Sequence, residues 1–309
     1  MAEDSTANLQ KLVQAPSYRV AYKDVDFLAQ PEMRAARIEL ELLKPELYFQ
    51  QNGVRSTIVV FGSTRIIEPA AAQRDLAEAE RLLAAAPNDP RLRRAVSRSR
   101  QLHRWSHFYD AAREFANVVS KSCQGPSPCD YVIVTGGGPG IMEAANRGAY
   151  DAGAKSVGLN IRLPHEQQPN PYITPNLCFQ FHYFAIRKLH FVLRAKALVA
   201  FPGGLGTLDE IFDALALRQN GRMQAIPIIL FGREYWKHVV DFQFLADQGT
   251  IDDEDLDLVH YAETAEEAWR IIQQWNGAPP SENGVVEGPE RDVSLTSISS
   301  QKPRPKTNH

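Results

Sequence analysis

The chain has 309 residues, 44% hydrophobic and 23% charged, with a formal net charge of −3. This composition provides the core of one large α/β domain or two small ones, and its near-neutral charge excludes a nucleic-acid or membrane partner held by bulk electrostatics. The three cysteines, Cys123, Cys129 and Cys178, form no CxxC pair, which argues against a structural zinc site and predicts free thiols in a reducing compartment.

The first residues are acidic and polar, without the basic and then apolar regions of a secretory signal. No uncharged apolar run is long enough to span a bilayer, so a soluble, cytoplasmic protein is expected. Residues 1 to about 30 are weakly patterned and read as an arm or a short helix. Thr57–Phe61 is a continuous apolar run ending in Gly62-Ser63-Thr64. From about Ala70 to Trp105 the chain is rich in Ala, Leu, Arg and Glu around Pro87-Asn88-Asp89-Pro90, which predicts an inserted helical hairpin. Tyr131–Val134 runs into Thr135-Gly136-Gly137-Gly138, and Ser156–Ile161, Ala197–Phe201 and Ile226–Phe231 are further β-rich runs. Unbroken apolar strands alternating with helical stretches predict an α/β, Rossmann-like, doubly wound parallel sheet with helices on both faces. Gly-rich turns after the strands put a ligand site at their carboxyl ends. The chain therefore divides into an N-terminal arm (1–30), a single domain (31–277) with its helical insertion (about 70–105), and a disordered tail (278–309) rich in Pro, Ser, Gly and charge.

Two glycine turns and one basic pair carry the candidate chemistry. The turn Gly136-Gly137-Gly138-Pro139-Gly140 leads into Ile141-Met142-Glu143 but fails the dinucleotide fingerprint, because Ile141 or Glu143 occupies the third small position. The turn Pro202-Gly203-Gly204-Leu205-Gly206-Thr207 lacks the Gly-Lys of a P-loop, and it is read as opening a helix from Leu208 to Arg218. Its amides and the Thr207 hydroxyl suit one phosphate. Glu143, Asp209 and Glu210 have a plainer explanation as acids complementing helix dipoles, worth roughly 0.3–1 kcal/mol each. Arg187 and Lys188, read in the first turn of a helix beginning at Phe184, oppose their helix dipole, so an anionic partner explains them better than helix stability does.

Together these segments resemble the LOG family of cytokinin riboside 5′-monophosphate phosphoribohydrolases and AMP nucleosidase-like enzymes. The family pattern PGGxGTxxE matches Pro202–Glu210, its Arg-Lys pair matches Arg187-Lys188, its first Gly-Ser turn matches Gly62-Ser63, and its GGGPGIMEA segment matches Gly136–Ala144. The likeness covers roughly residues 55 to 275 apart from the insertion. It implies hydrolysis of the N-glycosidic bond of a nucleoside 5′-monophosphate, AMP or a cytokinin riboside 5′-monophosphate, to free base and ribose 5-phosphate. Carried over, Glu210 and Arg187 are the catalytic pair. Gly203, Gly204, Gly206, Thr207, Lys188, Gly62, Ser63, Gly137, Gly138 and Met142 are substrate-binding residues. The resemblance further implies no cofactor or metal and a homodimer or larger homo-oligomer with its site near the interface. Asp209 stands where many members carry a second glutamate. A carboxylate beside C1′ would stabilise the positive charge that builds on the ribose as the bond breaks, and helix-start amides would keep Glu210 ionised. Glu210 as base or as nucleophile stays open at this stage.

Two rivals are weighed against this reading. A pyridoxal-phosphate lysine decarboxylase needs a Schiff-base lysine, typically just after a histidine, and the sequence contains no His-Lys dipeptide. A non-catalytic nucleotide or molybdenum-cofactor carrier shares the fold, but the presence of both Arg187 and Glu210 argues for catalysis. His182 and His190 read as packing or surface residues, Tyr183 as an apolar strand position, and His165 as part of a Pro-rich loop bordering the base pocket.

Overall fold

A computed structural model describes residues 2–123, 129–162 and 168–277. The tail from 278 and the loop around His165 lie outside the described residues. In chain order the elements are α1 (Ala2–Gln14), α2 (Val25–Leu28), α3 (Arg34–Gln51), β1 (Thr57–Phe61), α4 (Pro69–Ala85), α5 (Pro90–Trp105), α6 (His107–Cys123), β2 (Val132–Thr135), α7 (Ile141–Asp151), β3 (Ser156–Ile161), β4 (Cys178–Phe181), α8 (Phe184–Val192), β5 (Ala195–Ala200), α9 (Leu205–Gln219), β6 (Ile228–Phe231), α10 (Arg233–Val239), α11 (Phe242–Asp247), β7 (Val259–Ala262) and α12 (Ala265–Gly277).

The seven strands form one sheet in the order β4-β3-β2-β1-β5-β6-β7, and every pairing is parallel. All five residues of β1 are buried, which explains its unbroken apolar sequence: both of its faces are covered. Alternate residues serve the two layers. Ile58 and Val60 join a cluster with Phe115, Ile141 and Ile272 from α6, α7 and α12. Val59 and Phe61 join the opposite cluster with Phe49, Phe191, Ile211 and Trp236 from α3, α8, α9 and α10.

The chain leaves β1 toward β2 on one side and returns through β5 on the other, so β1 and β5 flank the topological switch point. Ligand crevices of open α/β sheets lie there, outside the carboxyl ends of the strands. The inserted hairpin is present as α4 and α5, with Asp89 capping α5 through the Arg91 amide. Its base packs on the domain: Trp105 stacks on Phe108 and meets Tyr235 edge-on. Among the described residues no helix is long and apolar enough to cross a membrane.

Candidate active site

The loops after β1, β2 and β5 converge at the switch point. Ser63 N–H donates to the Pro202 carbonyl at 3.0 Å, and Ile141 N–H donates to the Ser63 carbonyl at 3.1 Å, so the three loops are tied through one serine. Gly140 has φ +71° and is packed so closely that a Cβ there would lie 2.4 Å from the Ser63 oxygen. Only glycine satisfies both conditions. The loop after β2 is braced by side chains the motifs did not point to. Thr135 Oγ1 accepts from the Gly137 amide and donates to Asn146 Oδ1, while Asn170 Nδ2 reaches the carbonyls of Gly137 and Gly138. Asn170 comes from a loop with no recognisable pattern, which is why sequence reasoning missed it. Tyr235, also missed, donates from its hydroxyl to the Gly203 carbonyl at 2.7 Å.

The loop after β5 departs from its sequence reading. The helix begins at Leu205 with Gly204 as its N-cap, three residues earlier than expected, because Gly206 and Thr207 form its first turn. The first intrahelical donor is Leu208, to the Gly204 carbonyl, so the amides of Leu205, Gly206 and Thr207 precede the ladder and have no intrahelical acceptor. Thr207 is buried against Gly203, where a Cβ would lie 2.1 Å from its Oγ1. Asp209 and Glu210 consequently sit in the second turn, not the first, beyond the reach of most of the helix-dipole effect.

Arg187 and Glu210 meet inside this crevice. The guanidinium Nη1 lies 3.2 Å from Glu210 Oε1, and Nε donates to the Leu159 carbonyl at 2.7 Å. The side chains are only 12% and 10% exposed. Arg187 also lies over the Phe191 ring and against Gly136, where a Cβ would clash with the guanidinium and with Met142 Sδ. Burial pushes the Glu210 carboxyl above the ordinary glutamate range against the pull of Arg187 and Lys188. This corrects the expectation that helix-start amides hold Glu210 ionised: at its second-turn position desolvation wins. Burial likewise lowers Arg187, opposed by Glu210 and Asp209.

Other residues of the sequence reading fall around this pair or away from it. Met142 and Arg187 share the Gly136 wall. Gly62 packs against Ile141 and Gly137 against Asn160, so both have a packing reason to be glycine. Lys188 turns to the outer side of α9, 2.9 Å from Asp209 and 3.8 Å from Asp213. Like Asp209 in α9, Lys188 is the fifth residue of its helix, α8, and falls past the first turn expected from the sequence; Arg187 and Lys188 both have carboxylate partners within the chain. Glu143 accepts from the buried Tyr109 hydroxyl at 2.9 Å, and burial, helped by Glu143, pushes that phenol up to about 12. Tyr183 is not a strand residue but the N-cap of α8, and His182 is exposed while His190 is buried. Among the described residues no group of three His, Cys, Asp or Glu is arranged to hold a metal ion.

Residues 142–272 match the family model described as "Possible lysine decarboxylase". This segment includes the glycine turn and the Arg187-Lys188 pair by which the chain resembles the LOG family. A pyrimidine/purine nucleotide 5′-monophosphate nucleosidase of Escherichia coli (strain K12) is 32% identical over 110 residues, 32% of this chain and 24% of that protein. The chain thus spans about a quarter of the length of that relative. A cytokinin riboside 5′-monophosphate phosphoribohydrolase of Arabidopsis thaliana is 23% identical over 175 residues, covering 55% of this chain and 76% of that one. Among solved structures, the molybdenum-cofactor carrier protein of Chlamydomonas reinhardtii aligns with 21% identity over 55% of this chain and 88% of its own, with a TM-score of 0.40. The decarboxylase description of the matching family model does not fit the lysine beside the Arg187–Glu210 pair. Burial lowers the Lys188 pKa, but Asp209, Glu210 and Asp213 together outweigh it and raise the ammonium above its usual range, whereas a Schiff-base lysine needs the opposite shift.

Proposed function

We propose that this protein hydrolyses the N-glycosidic bond of a nucleoside 5′-monophosphate, releasing the free base and ribose 5-phosphate. The observation that carries the reading is the buried Arg187–Glu210 pair, 3.2 Å apart, set at the switch point beside the glycine turn that opens α9. The named activities of the Escherichia coli and Arabidopsis relatives support it.

In this reading the amides of Leu205, Gly206 and Thr207 take the 5′-phosphate, a use that helix N-termini serve well. Arg187 orients the ribose phosphate or a ribose hydroxyl with its planar donors. As the C1′–N bond stretches, its electron pair moves to the base nitrogen and positive charge grows on the ribose. The Glu210 carboxylate, fixed in advance, stabilises that charge. A water oxygen bonds to C1′, and the water's proton ends on the departing base. The base choice, AMP or an N6-substituted AMP, is part of the same proposal. So is assembly with a second copy, for which Leu40, Leu43 and Leu47 on α3, Phe184 and Leu189 on α8 and Leu193 just past its end leave exposed apolar side chains.

The test is release of free base from AMP, other 5′-monophosphates and isopentenyl-adenosine monophosphate, followed by chromatography. Adenine and ribose 5-phosphate in equal amounts are expected from AMP. Nucleotides recovered intact across the whole panel would instead describe a carrier and overturn the proposal.

A further inference from the structure

Helix α8, which bears Arg187, is held at both ends by α3, a helix that precedes the first strand. The reason for such a brace begins in α8 itself. It is nine residues long, its N-cap Tyr183 makes no side-chain cap, and its first turn contains no acid. Short helices are marginal, and cations near an N-terminus weaken them further. Glu41 of α3 supplies what α8 lacks: its two carboxylate oxygens accept from the amides of His182 at 2.8 Å and Tyr183 at 3.1 Å. Arg37, one turn earlier on α3, donates to the Tyr183 hydroxyl at 3.3 Å.

The second attachment comes from a proline inside α3. Pro45 has no N–H, so the carbonyl of Glu41, four residues before it, is left without its helical donor. His190 of α8 lies against that carbonyl, Nε2 at 3.3 Å. Its other ring nitrogen lies 3.3 Å from Glu46 Oε1, an ion-pair contact without good hydrogen-bond alignment. Glu46 then takes both Nη groups of Arg194, just past the end of α8. One surface of α3, from Arg37 to Glu46, therefore matches α8 from its N-cap to its last turn.

We infer that α3 fixes the placement of α8 for the reaction and that Glu41 is a positioning residue acting through α8 on Arg187. The inference rests on the reading of Arg187 as part of a nucleotide-cleaving pair. Arg187 lies one turn beyond the amides that Glu41 holds, and its bonds to Leu159 and Glu210 depend on where that turn sits. Glu41 is half-buried and touches none of the groups assigned to substrate, so its removal tests position rather than contact.

The experiment compares wild type, Glu41→Ala and Glu41→Gln in the full chain, well below the melting temperature. Hydrogen exchange of a peptide covering residues 182–189 reads the helix end, and kcat and KM for AMP read the site. Glu41→Ala is expected to speed exchange in that peptide and to lower kcat about tenfold or more, with a smaller change in KM. Glu41→Gln, whose single amide oxygen accepts from only one of the two amides while its NH2 faces the other, should recover no more than part of the loss. Unchanged exchange in Glu41→Ala overturns the brace whatever the wild-type activity. Faster exchange with kcat and KM within twofold of wild type overturns the positioning role. A wild type inactive on all monophosphates, with exchange still raised in Glu41→Ala, would sink the functional reading and leave the brace standing.

Discussion

At the scale of single residues, the proposed chemistry turns on the contest at Glu210. Removing a carboxylate from water raises its pKa, and the neighbouring guanidinium lowers it; here burial is the larger influence. A carboxyl whose pKa is raised is the better proton acceptor, and the same group while ionised suits stabilisation of a ribosyl cation. Glu210→Gln keeps the size and most packing but removes the charge. Turnover of AMP should fall by about 10²–10³ while the fold survives. If the ionised form is the active one, the wild-type rate should be lost as pH falls, with a midpoint above the ordinary glutamate value because the folded-state pKa is raised. A pH–rate profile of kcat/KM checks the sign. A rate that holds down to ordinary glutamate pH, or a Glu210→Gln variant near wild-type rate, would remove Glu210 from the chemistry.

At the scale of elements, the α3–α8 seam holds the most strongly shifted acid. Burial raises the Glu46 carboxyl, but its contacts with His190 and Arg194 outweigh it and bring it from 4.5 to about 2. A carboxyl depressed in the folded state contributes stability that is complete above its unfolded pKa and is lost as pH falls toward the folded value. Because the side chains remain partly exposed, solvent screening reduces the contribution to roughly 1–2 kcal/mol. Glu46→Gln should therefore cost that much in denaturant unfolding at pH 7 and little near pH 2.5. A gap independent of pH would show that the loss is packing and not charge. The seam also marks the limit of what the sequence discloses. The central strands β1, β2 and β5 were legible because burial on both faces leaves an uninterrupted apolar run. The edge strands β4, with the sequence Cys-Phe-Gln-Phe, and β7, with Val-His-Tyr-Ala, went unread because only part of each is buried and four residues carry little periodicity. The glycine-turn and Arg-Lys motifs were legible as residues, but the start of α9 was misplaced because Gly204 at its N-cap and Gly206 in its first turn look like loop. Nothing local in Glu41, Pro45 or Glu46 announces a partner that lies more than 140 residues further along the chain.

At the scale of the whole molecule, the parallel sheet brings loops from separate strands to one crevice, so the proposed phosphate and ribose contacts come from different parts of one site. Loops from β1, β2 and β5 meet at the switch point, tied through Ser63. The opening of α9 contributes backbone amides, and its second turn contributes Glu210. One rigid helix thus carries the proposed phosphate site and the proposed charge-stabilising group at a fixed separation. If the 5′-phosphate is anchored at the start of α9, its binding energy can hold the ribose in register with Glu210. Binding energy used for positioning appears in turnover as well as in affinity. Adenosine, which lacks the phosphate, should then show a lower kcat as well as a higher KM than AMP, with kcat/KM down by about 10³ or more, since phosphate contacts to helix-start amides are charge-assisted. Addition of inorganic phosphate or phosphite should restore part of the adenosine rate by refilling the anion site. Free adenine release from both substrates, measured side by side in the same buffer, provides the comparison. Equal kcat on the two would mean that the glycine turn does not position the substrate through its phosphate. The shared-helix account of the site would then have to give way to one in which α9 contributes Glu210 alone.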